Sequence, residues 1–277
     1  MVVFLEMKLF LEAVMDFKDI VYEVKDGVAQ ITLNKPDKLN AMSWGTWAEI
    51  ETAMAEANGD DAVRCVLFTG AGRGFSSGTD LTGGADESQQ RPFQGREGAM
   101  RSLHRCTDTV YHCTKPTIAA VNGVSVGAGF SLALACDIRI AAEKAKFSAI
   151  FIKRGLSADT GSTWFLPRLV GMDRALDILC TGRMVEADEA FRIGLVTRVV
   201  PGDDLMDEAN ALAQEIAAGP TLAVEINKRL ARDGMNRELS EQIEAEDYLQ
   251  RITHSSEDAK EGRLSFVEKR PPVFQGK

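Results

Sequence analysis

Residues Asn122 to Asp137, N-G-V-S-V-G-A-G-F-S-L-A-L-A-C-D, constrain this chain more than any other stretch. The turn pair Asn122-Gly123 is followed by the small residues Gly127, Ala128 and Gly129. An apolar run from Phe130 to Ala135 comes next, with Ser131 its one polar member. A helix starting near Gly127 has no polar face, so it must be enclosed by protein. Its first N–H groups lack helical partners, and its dipole makes that end positive. The glycines let another group approach the backbone closely. Two readings stand side by side: a site for an oxygen that carries or develops negative charge, and close helix packing through small residues.

The surrounding pattern gives the fold class. Val28 to Leu33 alternates like a strand, and Asp26-Gly27 before it is a hairpin signal. The loop N-K-P-D-K-L-N-A leads to Ser43, an N-cap type, with Trp47, Ile50 and Met54 at helical spacing. Cys65 to Thr69, Thr117 to Val121 and Ile138 to Ala142 are short apolar runs of the kind that form buried parallel strands. A glycine-rich loop, G-A-G-R-G-F-S-S-G-T-D-L-T-G-G, follows the first of them, and the opening stretch follows the second. Met100 to Cys113 reads as a helix ended by Lys115-Pro116, and the polar segment Asp86 to Gly98 as a mobile lid. Strand, glycine loop and helix therefore recur, which is an α/β arrangement with right-handed crossovers. After Asp203 strand signals vanish. Asp203 to Ala218, Leu222 to Arg232, Glu238 to Thr253 and Glu257 to Lys269 read as amphipathic helices that pack on a neighbouring subunit or back on their own core.

Composition narrows the class. The chain has 277 residues, ordinary fractions of hydrophobic (45%) and charged (26%) side chains, and a net charge of -9. That charge argues against a sequence-independent grip on nucleic acid or an anionic membrane. Cys65, Cys106, Cys113, Cys136 and Cys180 are odd in number and scattered, as in reduced thiols of a cytoplasmic protein. Three histidines form no H-x-x-x-H pair, so no metal site is expected. No apolar run is long enough to span a membrane. Residues 1–15 read as an N-terminal extension, too charged for a signal peptide, with Met7 and Met15 as alternative starts.

Neither glycine loop matches a Walker or dinucleotide-binding fingerprint. Both expose backbone donors at a strand end, and two such donors converging on one oxygen make an oxyanion hole. Asp159, in G-L-S-A-D-T-G-S-T-W-F-L, is the strongest candidate proton carrier. Its local alternative is a helix N-cap. His104 is a second candidate base, and Ser131 has no partner that would make it a nucleophile.

At these residues the chain resembles the crotonase superfamily, the enoyl-CoA hydratase/isomerase family. The motifs are L-N-K-P-D-K-L-N-A-M at 33–42, G-R-G-F-S-S-G-T-D-L at 72–81, K-P-T-I-A-A-V-N-G-V-S-V-G-A-G at 115–129, A-C-D-I-R-I-A at 135–141 and F-V-E-K-R at 266–270. The resemblance implies a crotonase-like α/β core of repeated ββα units over residues 16–202, a helical trimerisation region over 203–277, and acyl-CoA thioester substrates with no permanently bound cofactor. It implies a homotrimer or dimer of trimers. Carried over by motif, the oxyanion donors are the N–H groups of Thr79, after Gly78, and Ala128, after Gly127. Asp80 and Leu81 complete the first loop. Lys38, Leu39 and Ala41 match the CoA-binding segment, and Phe151 shapes the acyl pocket. Lys269 matches a lysine that reaches the nucleotide phosphates from its own or a neighbouring subunit.

Two departures matter. Where hydratases of this family carry a pair of glutamates, this chain has Ser131 and Phe151. Asp159 matches the aspartate of isomerising relatives and of aryl-CoA dehalogenases, which turns the local N-cap reading toward chemistry. Its apolar neighbours are expected to desolvate it and raise its proton affinity. One carboxylate suffices for a double-bond shift, so an enoyl-CoA isomerase leads. A hydratase with a rearranged base, an aryl-CoA dehalogenase and a catalytically silent CoA binder are the alternatives.

Overall fold

The computed structural model describes residues 17–81 and 105–277. The N-terminal extension, the Asp86 to Gly98 lid and His104 lie outside the described residues. The chain opens with a hairpin, β1 (Ile20–Lys25) and β2 (Val28–Leu33), paired antiparallel. Asp26 and Gly27 both take positive φ, 51° and 79°, as a two-residue hairpin turn matching the twist of its strands requires. Helix α1 (Trp44–Gly59) starts at Ser43, whose hydroxyl accepts from the Thr46 N–H while the Thr46 hydroxyl accepts from the Ser43 N–H.

Three strand pairs follow, each feeding a helix. β3 (Cys65–Gly70) and β4 (Gly74–Ser76) precede α2, helical over the described residues 105–112. β5 (Thr117–Val121) and β6 (Val124–Val126) precede α3 (Ala128–Ala135). β7 (Ile138–Ala142) and β8 (Lys146–Ser148) lead through a 3-10 turn, Ile150–Arg154, to α4 (Ser162–Val170). The recurring unit is therefore ββα, as the resemblance implies. The glycine loop after β3 and the Val124–Val126 segment each hold a three-residue strand that sequence periodicity does not reveal.

α5 (Met172–Thr181), β9 (Val185–Glu186), α6 (Ala187–Arg192) and β10 (Arg198–Val200) complete two sheets. One has six strands in the order β1-β2-β3-β5-β7-β10, the other four in the order β4-β6-β8-β9. Apart from the β1–β2 and β8–β9 pairs, neighbours run parallel. The central strands β3, β5 and β7 are buried on both faces, which is why they read as near-continuous apolar runs, interrupted by Arg139 in β7. Val66 and Phe68 face a cluster with Trp47 of α1 and Phe130 of α3. The alternate residues Cys65 and Leu67 face α7 (Leu205–Ala217), through Leu205, Ala209, Ala213 and Ala217. The sequence reading groups α7 with the tail. In the structure it closes the second core.

Three helices remain: α8 (Thr221–Gly234), α9 (Leu239–His254) and α10 (Glu257–Glu268). Asp137 ties α8 to the sheet, accepting from Lys228 Nζ at 2.7 Å and Arg232 Nη2 at 2.6 Å. The C-terminal segment returns to the core: Asp258 accepts from the Gln275 and Gly276 N–H groups, and Arg64 donates to the Phe274 and Gln275 carbonyls. No helix among the described residues is long and apolar enough to cross a membrane.

Candidate active site

The two glycine loops meet. Gly78 has φ +90°, and a Cβ built there would lie 2.8 Å from the Val126 carbonyl oxygen and 3.3 Å from the Ala128 nitrogen. Any side chain at residue 78 would push the two loops apart. Gly129 is equally tight, with its virtual Cβ 2.5 Å from Ser76 Cβ. The Gly127–Gly129 run therefore fits neither of the two opening readings exclusively, because close packing of small residues is what carries the first N–H of α3 to the other loop.

Hydrogen bonds fix which way the donors face. Met42 forms an isolated parallel bridge with Thr79: its N–H donates to the Gly78 carbonyl at 2.8 Å, and its carbonyl accepts from Asp80 N–H at 3.0 Å. In a parallel ladder the residue between those two bonds turns its own N–H to the opposite edge, so Thr79 N–H faces away from Met42. Ala128 is the first residue of α3, and Ser131 N–H makes the first helical bond, to Gly127, at 3.1 Å. The Ala128 N–H thus belongs to the donors a helix start leaves over. Gly127 N–H is used, donating to Ser148 at 3.0 Å.

A residue not singled out in the sequence holds this assembly. Asn40 is buried with φ +54°, a region Asn tolerates better than most residues. Its side chain accepts from Lys35 N–H at 2.8 Å and donates to the carbonyls of Ala71 and Gly74 at 2.9 and 2.7 Å. Ser76 Oγ donates to the Asn40 carbonyl at 2.8 Å and accepts from Gly78 N–H at 3.2 Å. The Lys38–Leu39–Ala41 loop and the Gly78–Thr79 loop are thereby one unit. Within it Lys38 Nζ pairs with Asp80 at 3.0 Å. Lys38 and Leu81 are exposed, while Leu39 is half-buried and takes φ 50° after a 3-10 turn, Pro36–Lys38.

Asp159 lies on the loop that faces the start of α3. Ser131 Oγ is 3.4 Å from the Asp159 carbonyl, to which it donates, and 3.3 Å from that of Gly127. Asp159 is not the N-cap of α4. Gly161 takes that place with φ 84°, and Asp159 contributes only its carbonyl, which accepts from Ser162 N–H at 3.1 Å and Ser162 Oγ at 3.0 Å. The carboxylate accepts from Thr160 Oγ1 at 3.1 Å. Thr160 is buried at φ +49°, a costly conformation for a β-branched residue, and it sets that hydroxyl beneath the carboxylate. The expected desolvation of Asp159 is corrected: its side chain is exposed, because Leu156 and Ser157 turn outward with it. Phe151 is half-buried against the main core, and Ile150 beside it sits 3.6 Å from the virtual Cβ of Gly127.

Lys269 is not brought to this place. It ends α10 with φ 55° and is exposed, and among the described contacts its N–H reaches only Phe266 and Ser265 of its own helix. At the other end of α3, Arg139 is buried and donates to the carbonyls of Ala133, Leu134, Cys136 and Leu195. Burial pulls its pKa below the usual arginine value, yet the guanidinium stays charged and answers the negative end of the helix. The helix is held by a cation at one end and keeps its left-over N–H donors at the other.

The family model described as enoyl-CoA hydratase/isomerase matches residues 23–277. A protein of Rhodobacter capsulatus named "Probable enoyl-CoA hydratase" is 39% identical over 95% of this chain and 100% of its own. The 1,2-epoxyphenylacetyl-CoA isomerase of Escherichia coli is 38% identical over 93% of this chain and 98% of its own. The solved enoyl-CoA hydratase of Bacillus anthracis superposes with a TM-score of 0.88 at 31% identity, over 94% of this chain and 100% of that one.

Proposed function

The chain belongs to the enoyl-CoA hydratase/isomerase family and is an enzyme of that family, and from that premise we propose that it shifts a double bond in an acyl-CoA thioester. The thioester oxygen sits between the N–H groups of Thr79 and Ala128. As a proton leaves the neighbouring carbon, negative charge moves onto that oxygen, and the two donors stabilise it. Donors of this kind contribute about 3 kcal/mol each to the barrier reduction. Asp159 takes the proton from one carbon and returns it to another, so no second acid is needed. Coenzyme A enters as part of the substrate: Lys38, Leu39 and Ala41 hold it, Gly78, Asp80, Leu81 and Gly127 shape the entrance, and Phe151 borders the acyl group.

The observation that carries this reading is the contact of Gly78 with the Ala128 nitrogen, 3.3 Å from a virtual Cβ, beside a loop that presents Asp159. Ser131 and Phe151 support the isomerase over the two-glutamate hydration route. The Ser131 hydroxyl is buried and used as an anchor, and Phe151 has no proton to move. The test is turnover of a 3-enoyl-CoA against hydration of the corresponding 2-enoyl-CoA. Faster isomerisation is expected, and preferential hydration would replace this reading with the hydratase.

The chain is further proposed to act as a homotrimer or dimer of trimers in the cytoplasm, with residues 203–277 carrying the assembly and Lys269 reaching a neighbour's nucleotide phosphates. The support is α9, which buries none of its residues, and the exposed Phe266 and Val267 at the end of α10.

A further inference from the structure

A cavity of about 810 Å³ lies between α2, the start of α4 and α8. That is within the range of about 300–1,000 Å³ typical of small-molecule pockets. Its walls include Tyr111 of α2 and Trp164 and Phe165 of α4, and one end is formed by Thr160 and Gly161. Thr160 is the residue whose hydroxyl donates to the Asp159 carboxylate, so a residue of the cavity wall is bonded to the proposed proton carrier, while Asp159, Thr79 and Ala128 lie outside the wall itself.

The three rings meet mostly edge to face. Tyr111 and Trp164 are 5.1 Å apart at 78°, Trp164 and Phe165 5.1 Å apart at 87°, and Tyr111 and Phe165 5.5 Å apart at 53°. Arg168 covers one face of Trp164 at 3.9 Å and Arg232 one face of Tyr111 at 3.8 Å, so the corner offers an incoming ring edges and the opposite faces, the geometry in which aromatic pairs gain beyond the area they bury. The corner is built: the Arg232 guanidinium stacks 3.8 Å from the Tyr111 ring centre while its other face of contacts is fixed by Asp137. A Cβ at Gly161 would come within 2.6 Å of the Phe165 ring, so glycine is what lets that ring lie there. Charges on the rim answer one another, His112 with Asp108 at 3.3 Å and Arg229 with Asp233 at 3.6 Å. Glu225, Lys228 and Asn236 add polar groups to the wall, and its apolar part is mainly the three rings.

We propose that this cavity receives the far end of the acyl group and that this end is an aromatic ring. The inference rests on the acyl-CoA reading above and names its substrate class. The test is calorimetric binding of three unreactive thioesters: butanoyl-CoA, 4-phenylbutanoyl-CoA and octanoyl-CoA. The phenyl compound is expected to bind at least about tenfold tighter than butanoyl-CoA and tighter than octanoyl-CoA, and Trp164→Ala is expected to collapse the phenyl-to-butanoyl ratio to within about threefold. Equal affinities of the phenyl and butanoyl compounds overturn the cavity's role while leaving the CoA reading intact. An octanoyl compound that binds as tightly as the phenyl one overturns the ring. Absence of binding by all three removes the CoA reading and this inference together. The wild-type series decides the matter even if Trp164→Ala fails to fold.

Discussion

All eight residues of α3 are buried, and none of the sixteen residues of α9 is. Both helices carry apolar side chains, but the fold uses them differently. α3 is enclosed on every side by its own chain, with contacts so close at Gly129 that one methyl group has no room. α9 sets Leu239, Ile243, Tyr248 and Ile252 toward solvent. It is kept helical by a Glu238–Glu241 capping box and by pairs such as Arg251–Asp247 at 2.6 Å. The first helix is finished within one chain, and the second leaves its apolar side chains exposed, where the proposed assembly would cover them. Substitutions at α3 should therefore act on folding and chemistry, and those at α9 on association.

The largest effect expected is at the loop that α3 anchors. Asp159→Asn should lower turnover of a 3-enoyl-CoA by about 10²–10⁴-fold, the usual worth of a general base. The melting temperature should move far less than turnover, because the contacts with Ser131 and Ser162 run through the Asp159 carbonyl, which the substitution keeps, and Asn can still accept from Thr160. Steady-state kinetics beside a thermal scan separates the two. Unchanged turnover would remove Asp159 from the chemistry, and an equal loss of stability would make it a structural residue.

Gly129→Val comes next and measures the comparison directly. The new side chain meets Ser76 at 2.5 Å from its first carbon, so urea unfolding should show a loss of about 1–3 kcal/mol or more from overpacking. Ala245→Val, a similar enlargement on exposed α9, should change stability by less than about 0.5 kcal/mol. If the two cost the same, α9 is as enclosed as α3 and the contrast fails.

The same contrast explains what could be read before the structure. Helices such as Thr221–Gly234 and Leu239–His254 announce themselves through spacing and Gly or Ser breaks, because amphipathic periodicity is a local property. β4, β6 and β8 do not, since three residues are too few to show a period. The second sheet was hidden for that reason. The site divides in the same way. Thr79 and Ala128 are proposed from motif, while Asn40 owes its place to partners more than thirty residues away, Ala71 and Gly74. The apolar neighbours of Asp159 in sequence predict desolvation and the structure exposes it, because sequence neighbours are not spatial neighbours on a loop held by its backbone.

A smaller effect is expected at Ser131→Ala. The hydroxyl holds the Asp159 loop against α3 through one long bond of 3.4 Å, and a buried hydrogen bond nets about 1 kcal/mol. Turnover should fall about fivefold with KM little changed, since the substrate's CoA half is gripped elsewhere. Ser131→Glu sharpens the point: if the gain of an acid at this position raises hydration of a 2-enoyl-CoA, the missing glutamate and not the loop geometry sets the reaction type.

The smallest change in the single chain should come from Ile243→Gln combined with Ile252→Gln on α9. Both side chains are exposed, at 54% and 43%, so removing their apolar surface costs the isolated chain within about 0.5 kcal/mol. Association is where they should count. A complex that forms only from folded chains adds stability that grows with protein concentration. The wild-type melting temperature should therefore rise with concentration, while that of the double variant should stay flat and its mass by light scattering should fall toward one chain. A concentration-independent wild type of single-chain mass would mean that α9 keeps its apolar residues in water unaided, and the helix would then differ from α3 only in exposure and not in having a partner to find.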